Sequence, residues 1–231
     1  MYKDLKFLAI IPARGGSKGI PKKNVIDLNG KPLIQYTIDA AKNSVYIDDV
    51  IVSTDSQEIA DVALCCGAEV PFLRPEELAS DTTKTIEVLI HCLEELRIQD
   101  RRYDYLVLLQ PTQPLRLSHH IDEAIEKIIK LDSDSLTSVT PVKDHPILVR
   151  NIDDNHRLVP LLSVSSTIRR QDFPDYFKVN GAIYINKISN LTLETSLNDN
   201  VTPYMMDHKY SIDIDEPIDL DIARAYLNHQ G

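Results

Sequence analysis

Arg14, Lys18, Lys22 and Lys23 lie close together in a chain of 231 residues whose formal net charge is -10. Gly15, Gly16, Ser17 and Gly19 stand among them, and the stretch follows an apolar run from Phe7 to Ile11 that stops at Pro12. Glycines let backbone N–H groups close on a phosphate with no Cβ in the way, and the cations neutralise what the amides cradle. A triphosphate is the chemistry this loop suits. Two better-known phosphate loops do not match it. A Walker A loop has four residues between its glycines followed by Gly-Lys-Ser/Thr, whereas Ser17 and its neighbours make a shorter gap before Gly19, and Ile20 follows. The dinucleotide fingerprint needs a glycine where Arg14 stands.

Asp213 and Asp215 form a second candidate set. Two residues apart on a strand, their side chains would point to one face, and two carboxylates there repel unless a cation lies between them. Mg²⁺, which takes a few carboxylates together with phosphate oxygens, satisfies that need. The alternative for Asp215 is a capping role at the helix that opens near Pro217. The histidines offer less: His119 and His120 sit at a helix start and read as solvated, and His91 and His208 have no paired ligand spacing.

The elements that must hold these residues read as alternating strands and helices. Buried strands are expected over residues 7–11, 50–53, 105–110 and 136–142, with helical periodicity over 33–43, 57–66 and 84–96. Ser118 is expected to cap a further helix with Ile121, Ile125, Ile128 and Ile129 on its apolar face. Such alternation predicts an α/β protein, a mostly parallel sheet between helices. Ligands of such sheets bind at the carboxyl ends of strands, which singles out the Arg14–Gly19 loop, Asp55, Gln110, Asn180 and the aspartate pair. After Pro141 the pattern changes: apolar segments flank Asp153-Asp154-Asn155, a turn between two hairpin arms. The chain is then expected to return to the sheet over 177–185 and 210–214, and Glu216-Pro217 to open a final helix.

Composition narrows the function. The acidic balance offers no broad basic face for nucleic acid. No apolar run approaches the ~20 residues of a membrane span, and the first residues lack a signal-peptide core. Cys65, Cys66 and Cys92 form neither a metal spacing nor a disulfide framework, so reduced thiols and a cytoplasmic location are expected. The length suits one domain spanning 1–231, with an inserted subdomain at about 143–176.

The run from Ile11 to Asn24 resembles the signature loop of the CMP-sialic acid synthetases, a family of sugar-acid cytidylyltransferases. Further matching segments follow in the family's order: Gly30-Lys31-Pro32-Leu33-Ile34, Ser53-Thr54-Asp55, Leu73-Arg74-Pro75, Leu78-Ala79-Ser80-Asp81-Thr82, Leu109-Gln110-Pro111-Thr112, Asn180-Gly181-Ala182-Ile183-Tyr184-Ile185 and Ser211-Ile212-Asp213-Ile214-Asp215. The resemblance implies a Rossmann-like nucleotidyltransferase fold and transfer of CMP from CTP to the anomeric hydroxyl of a nine-carbon sugar acid, with release of pyrophosphate. It implies triphosphate contacts from Arg14, Ser17 and Lys23, with Lys23 stabilising the transition state, and Mg²⁺ (or Mn²⁺) at Asp213 and Asp215. The proton acceptor stays open between Asp215 and a metal-bound hydroxide. Cytosine selection falls to Asn24, with Arg74 and Thr85 as helpers. The sugar acid falls to Gln110, Arg170, Lys178 and Asn180, with Tyr184 as a neighbouring wall.

The resemblance also implies a homodimer built through a protruding hairpin in residues 143–176, each arm completing the other subunit's site. The segments around Gln110 and Asn180 lean towards N-acetylneuraminic acid over legionaminic, pseudaminic or Kdo-type acids. Two positions depart from the pattern. Lys178 replaces an arginine found in some members and loses the bidentate fork, and Leu148 lies where a member can carry a sugar-binding lysine, leaving Arg150 or the partner subunit to supply that charge. Two rivals are a sugar-1-phosphate nucleotidyltransferase, whose Gly-Gly-x-Gly-Thr-Arg loop is absent, and a non-catalytic nucleotide-binding module, against which Arg14, Lys23, Asp213 and Asp215 all stand.

Overall fold

The computed structural model describes residues 2–17, 19–164, 167 and 169–229, with the backbone alone for Arg170. Lys18, one of the loop cations, lies outside the described residues. Strand β1 (Phe7–Pro12) is an unbroken apolar run, the composition of a strand covered on both faces. Beyond the glycine-rich loop, a 3₁₀ turn at Lys23–Val25 and a small hairpin, β2 (Asp27–Leu28) with β3 (Lys31–Pro32), lead into helix α1 (Leu33–Lys42). Strand β4 (Ile47–Ser53) runs into α2 (Gln57–Cys65), where the Ser56 hydroxyl accepts the Ile59 N–H as an N-cap. Helix α3 (Thr85–Ile98) begins with the Lys84 N–H donated to the Glu87 carboxylate at 2.8 Å. Strand β5 (Tyr105–Leu108), helix α4 (Ser118–Lys130) and strand β6 (Ser135–Pro141) follow.

The arm after β6 is the expected hairpin: β7 (Arg150–Ile152) pairs antiparallel with β8 (Leu158–Pro160). It exposes apolar side chains, among them Ile152 and Leu158, each 70% exposed. Strand β9 (Phe177–Lys187) returns through the middle of the sheet, β10 (Thr202–Met205) forms its edge, and α5 (Pro217–Asn228) closes the described fold. The six-stranded sheet has the order β10-β6-β9-β5-β1-β4, with β9 antiparallel to both neighbours and the other pairings parallel. Side chains of α1, α2 and α4 (Ile34, Ile59, Ile125) pack on the Phe7, Ala9 and Ile11 face, and Leu89, Cys92 and Leu96 of α3 on the Leu8 and Ile10 face. Because β4 and β5 flank β1 on opposite sides, a crevice opens at the carboxyl end of β1, where the glycine-rich loop begins.

Three expectations are corrected. Residues 210–214 are not a strand; they follow a 3₁₀ turn and cross over the loop after β5. The remaining strand is β10, a short edge segment carrying Pro203, which buries Thr202 and Tyr204 in alternation. Ser118 does not cap α4: it is the first residue of that helix, and the Leu117 N–H donates to His120 Nδ1 at 3.0 Å. His120 is accordingly not solvated but 5% exposed, packed edge-on against Tyr210 with ring centroids 4.4 Å apart.

Candidate active site

The loop after β1 is pinned at both ends before it meets any ligand. At its start the Ala13 N–H donates to the Ser53 carbonyl and the Gly15 N–H to Asp55 Oδ1, each at 2.9 Å, so the end of β4 holds the turn against the sheet. At its far end Lys22 takes a left-handed conformation (φ 53°) that starts the 3₁₀ turn carrying Lys23 and Asn24. Asn24 is 7% exposed, and its Nδ2 donates back to the Arg14 carbonyl at 2.9 Å, closing the loop across its base.

The aspartate segment comes to this loop from the other end of the chain. Ile214 is fully buried against Ile20, Leu28, Leu33 and Leu220, and its N–H donates to the Thr112 carbonyl at 2.9 Å. With Ile214 turned inward, Asp213 and Asp215 face a common cavity, the outcome expected of a strand although the segment has no ladder partner. Lys23 Nζ donates to the Ile214 carbonyl at 2.7 Å and to Asp215 Oδ1 at 2.9 Å. Gly19 packs so closely on the segment that a Cβ there would lie 2.4 Å from the Asp215 carbonyl oxygen. Asp213, shut in by surrounding protein and repelled by Asp215, has its carboxyl raised above the ordinary carboxylate range, against a hydrogen bond from Thr112 and the nearby Lys23 charge that favour ionisation.

The result is a cavity of about 430 Å³ lined by Arg14, Ser17, Lys23, Asn24, Arg74, Thr85, Gln110, Asp213 and Asp215 among others. Its lining brings together the cations Arg14, Lys23 and Arg74, Gly16 of the loop, the carboxylates Asp81, Asp213 and Asp215, and several hydroxyl and amide side chains. Arg14 Nη2 reaches Asp81 Oδ1, also in the lining, at 2.7 Å. Arg74 is no surface cation: it is 6% exposed, burial lowers its pKa, and its guanidinium grips the Ser53 hydroxyl and carbonyl at the end of β4.

The sugar-site residues are dispersed around this cavity. Gln110 and Thr85 are shared with an adjoining cavity of about 430 Å³ that Tyr184 lines, its hydroxyl donating to Asn198 Oδ1 at 3.1 Å. Lys178 lies in a third cavity with His208 and Ser211, which meets the first at Asp213. Asn180 is 6% exposed and already engaged, its Oδ1 accepting the Ser138 hydroxyl and its Nδ2 donating to Ser211 Oγ at 2.9 Å. The Arg170 side chain lies outside the described residues.

Sequence reasoning assigned no role to Thr112, Asp81, Gln113 or Arg116. Gln113 and Arg116 are each 1% exposed beneath Gln110, and the available signal was two polar residues amid prolines and leucines just after a buried strand.

Comparison with known proteins bears on the family and the fold. The sequence profile of the cytidylyltransferase family matches residues 8–228. The chain is 43% identical to the CMP-N,N'-diacetyllegionaminic acid synthase of Legionella pneumophila, over 96% of this chain and 97% of that protein. It is 37% identical to an N-acylneuraminate cytidylyltransferase of Streptococcus agalactiae, over 91% of this chain but 51% of that longer protein. Among solved structures, a CMP:2-keto-3-deoxy-manno-octonic acid synthetase complexed with CTP superposes over 98% of this chain and all of its own, with a TM-score of 0.74 at 18% identity, a likeness of fold.

Proposed function

The chain belongs to the cytidylyltransferase family, and from that premise we propose that it joins CMP, taken from CTP, to the anomeric hydroxyl of a nonulosonic acid and releases pyrophosphate. The observation that carries the reading is the meeting, in one cavity, of a cationic glycine loop from the start of the chain with two carboxylates from its end. The sugar oxygen would attack the α-phosphorus in line with departing pyrophosphate, chemistry that rests on positioning and on charge stabilisation. Lys23 and Arg14 would hold the charge that grows on the phosphate oxygens, with Ser17 adding a hydroxyl donor. One N–H of the Asn24 amide is taken by the Arg14 carbonyl, which leaves its Oδ1 to accept from the exocyclic amine of cytosine and its second N–H to donate.

Asp213 and Asp215 fit Mg²⁺. They are hard oxygen donors on one cavity, the repulsion between them favours a cation, and Mg²⁺ takes one or two carboxylates alongside substrate phosphates. When bound there, the ion would supply neutralisation of the phosphate charge. The chain's own part is to keep both carboxylates turned outward through buried Ile214, and to let Lys23 exchange its Asp215 contact for phosphate.

The sugar acid would lie from Gln110 towards Tyr184, in the adjoining cavity. The relative at 43% identity supports N,N'-diacetyllegionaminic acid; the motifs around Gln110 and Asn180 support N-acetylneuraminic acid as a second reading. The apolar arm of β7 and β8 supports a homodimer in which one subunit's arm completes its partner's site. Among the described residues no helix is long and apolar enough to cross a membrane, and the three cysteines are unpaired, which supports an enzyme working beside its CTP in the cytoplasm.

The test is pyrophosphate release with Mg²⁺, crossing the four nucleoside triphosphates with legionaminic, neuraminic, pseudaminic and Kdo-type acids. Release with CTP and one nonulosonic acid is expected. Binding of CTP with no release across the panel would overturn the reading in favour of a non-catalytic module, and a monomeric mass in sedimentation at micromolar concentration would remove the dimer.

A further inference from the structure

We propose that Arg116 is a positioning residue for the sugar end of this site: from beneath the cavity it fixes Gln110 and the bulged stretch of β9, and the reaction depends on it through them. The proposal rests on the reading of Gln110 as a sugar-binding residue.

Arg116 is a cation in an unusual place. It is 1% exposed and the largest of the fully buried side chains, and among the described residues it forms no ion pair. A buried guanidinium without a carboxylate is costly, and an apolar side chain of similar volume would serve packing better. What it does instead is bridge. Its Nη1 donates to the Ala182 carbonyl at 2.8 Å and to the Gln110 carbonyl at 3.3 Å, joining the cavity-lining residue after β5 to the neighbouring strand. Its Nε and Nη2 find no acceptor among the described residues. Burial pushes the guanidinium down to about 9, so it still carries its proton at neutral pH.

The place it bridges is irregular, and other polar groups converge there. The β6–β9 ladder shifts register between Thr137 and Val139, opposite Gly181, whose φ of +79° favours glycine. A Cβ at Gly181 would lie 2.7 Å from Gln110 Oε1, so the Gln110 side chain rests directly on this glycine's backbone. Gln113 Nε2 donates to the Asn180 carbonyl at 2.6 Å, and the Thr37 hydroxyl to the Gln110 carbonyl at 3.4 Å. The backbone of Gln110 is thus held by Arg116 and Thr37, and its amide by a bulge that Arg116 and Gln113 hold in turn. Where a nucleophile must be placed against a phosphorus, freedom at such a support is felt as lost rate, on the order of 10²-fold for a displacement of ~1 Å.

Two variants separate positioning from packing. Arg116→Lys keeps the charge but ends one atom short of Nη1, the nitrogen that bridges the two carbonyls, and Arg116→Met removes the donors at similar volume. Pyrophosphate release is followed with CTP and the sugar acid that turns over best, and CTP binding is titrated directly. The expected result is a fall in kcat/KM for the sugar acid of about tenfold in Arg116→Lys and on the order of 10²-fold in Arg116→Met, with CTP affinity unchanged. In a Gln110→Ala background, Arg116→Lys should add no further loss. Equal weakening of CTP and sugar acid, full additivity with Gln110→Ala, or wild-type constants in Arg116→Lys would overturn the proposal. If Gln110→Ala alone changes nothing, Gln110 leaves the sugar site and the proposal falls with that reading. Should no sugar acid turn over, the Gln110 side-chain amide resonances decide: they shift or double in Arg116→Lys if Arg116 fixes that side chain, and stay unmoved if it does not. The Lys variant carries the test if the Met variant does not fold.

Discussion

Gly19 is pressed against the Asp215 backbone from the other end of the chain, and Gly19→Ala tests whether that contact matters. An added Cβ would lie 2.4 Å from the Asp215 carbonyl oxygen, about 1 Å short of the 3.4 Å at which ordinary van der Waals contact begins. Its target is backbone, which cannot swing aside as a flexible side chain would. Either the glycine loop or the segment carrying Asp213 and Asp215 must retreat by most of that 1 Å. Retreat would lengthen the Lys23 contacts with the Ile214 carbonyl and Asp215, now 2.7 and 2.9 Å. Overpacking of this kind costs roughly 1–3 kcal/mol, and in a chain of this size lowers Tm by roughly 2–4 °C per kcal/mol. A 1 Å separation of phosphate donors from carboxylates should cost on the order of 10²-fold in kcat. The assays are thermal unfolding without ligand and pyrophosphate release at saturating CTP, Mg²⁺ and sugar acid. Gly16→Ala is the control for stability, since nothing lies within 4 Å of its Cβ position; it should leave the ligand-free Tm unchanged. A Gly19→Ala protein with wild-type Tm and kcat would refute the claim that loop and carboxylate segment form one packed unit.

Three further outcomes follow from the same geometry. Lys23→Met should lower kcat by roughly 10²–10³-fold, as loss of a charge-stabilising donor does; a rate within a few-fold of wild type, on the order of experimental scatter, would reassign the transition-state charge to Arg14. Asp213→Asn should raise the Mg²⁺ concentration needed for half-maximal rate by roughly 10–100-fold, and an unchanged Mg²⁺ titration would remove Asp213 from the metal site. His120 has its pKa lowered by burial from 6.5 to about 4, so the unfolded chain binds more protons between those values. The stability this contributes is present above pH 6.5 and is lost as pH falls towards 4, up to about 3 kcal/mol. Asn at 120, which can still accept the Leu117 N–H, should flatten the dependence of Tm on pH in that window; an identical slope would show that other groups govern it.

The residues that were legible in the sequence differ in kind from those that were not. The glycine loop, Arg14, Lys23, Asn24 and the aspartate pair, which the fold gathers at one cavity, are readable because the proposed phosphate and metal chemistry would dictate their types and the chain presents them in short local runs at the ends of apolar segments. Even the failed strand over 210–214 gave the right orientation: burying Ile214 turns both aspartates outward whether or not a ladder forms. The groups that hold those residues in place answer to distant backbone instead. His120 reads as a polar helix start until Tyr204 and Tyr210 close over it from the far end of the chain. Asn180 reads as a ligand for a polar sugar, yet its amide is taken up by Ser138 and Ser211, 42 and 31 residues away in the chain. Arg116 gave no periodic signal at all, because its partners are carbonyl oxygens that every residue type possesses. A residue selected for what it gives a ligand is constrained in type and leaves a motif, whereas one selected for bracing a carbonyl is constrained by geometry that exists only after folding. In this site the second class bears directly on the first: Arg116, Thr37 and Gly181 fix where the amide of Gln110 stands, the group proposed to meet the sugar.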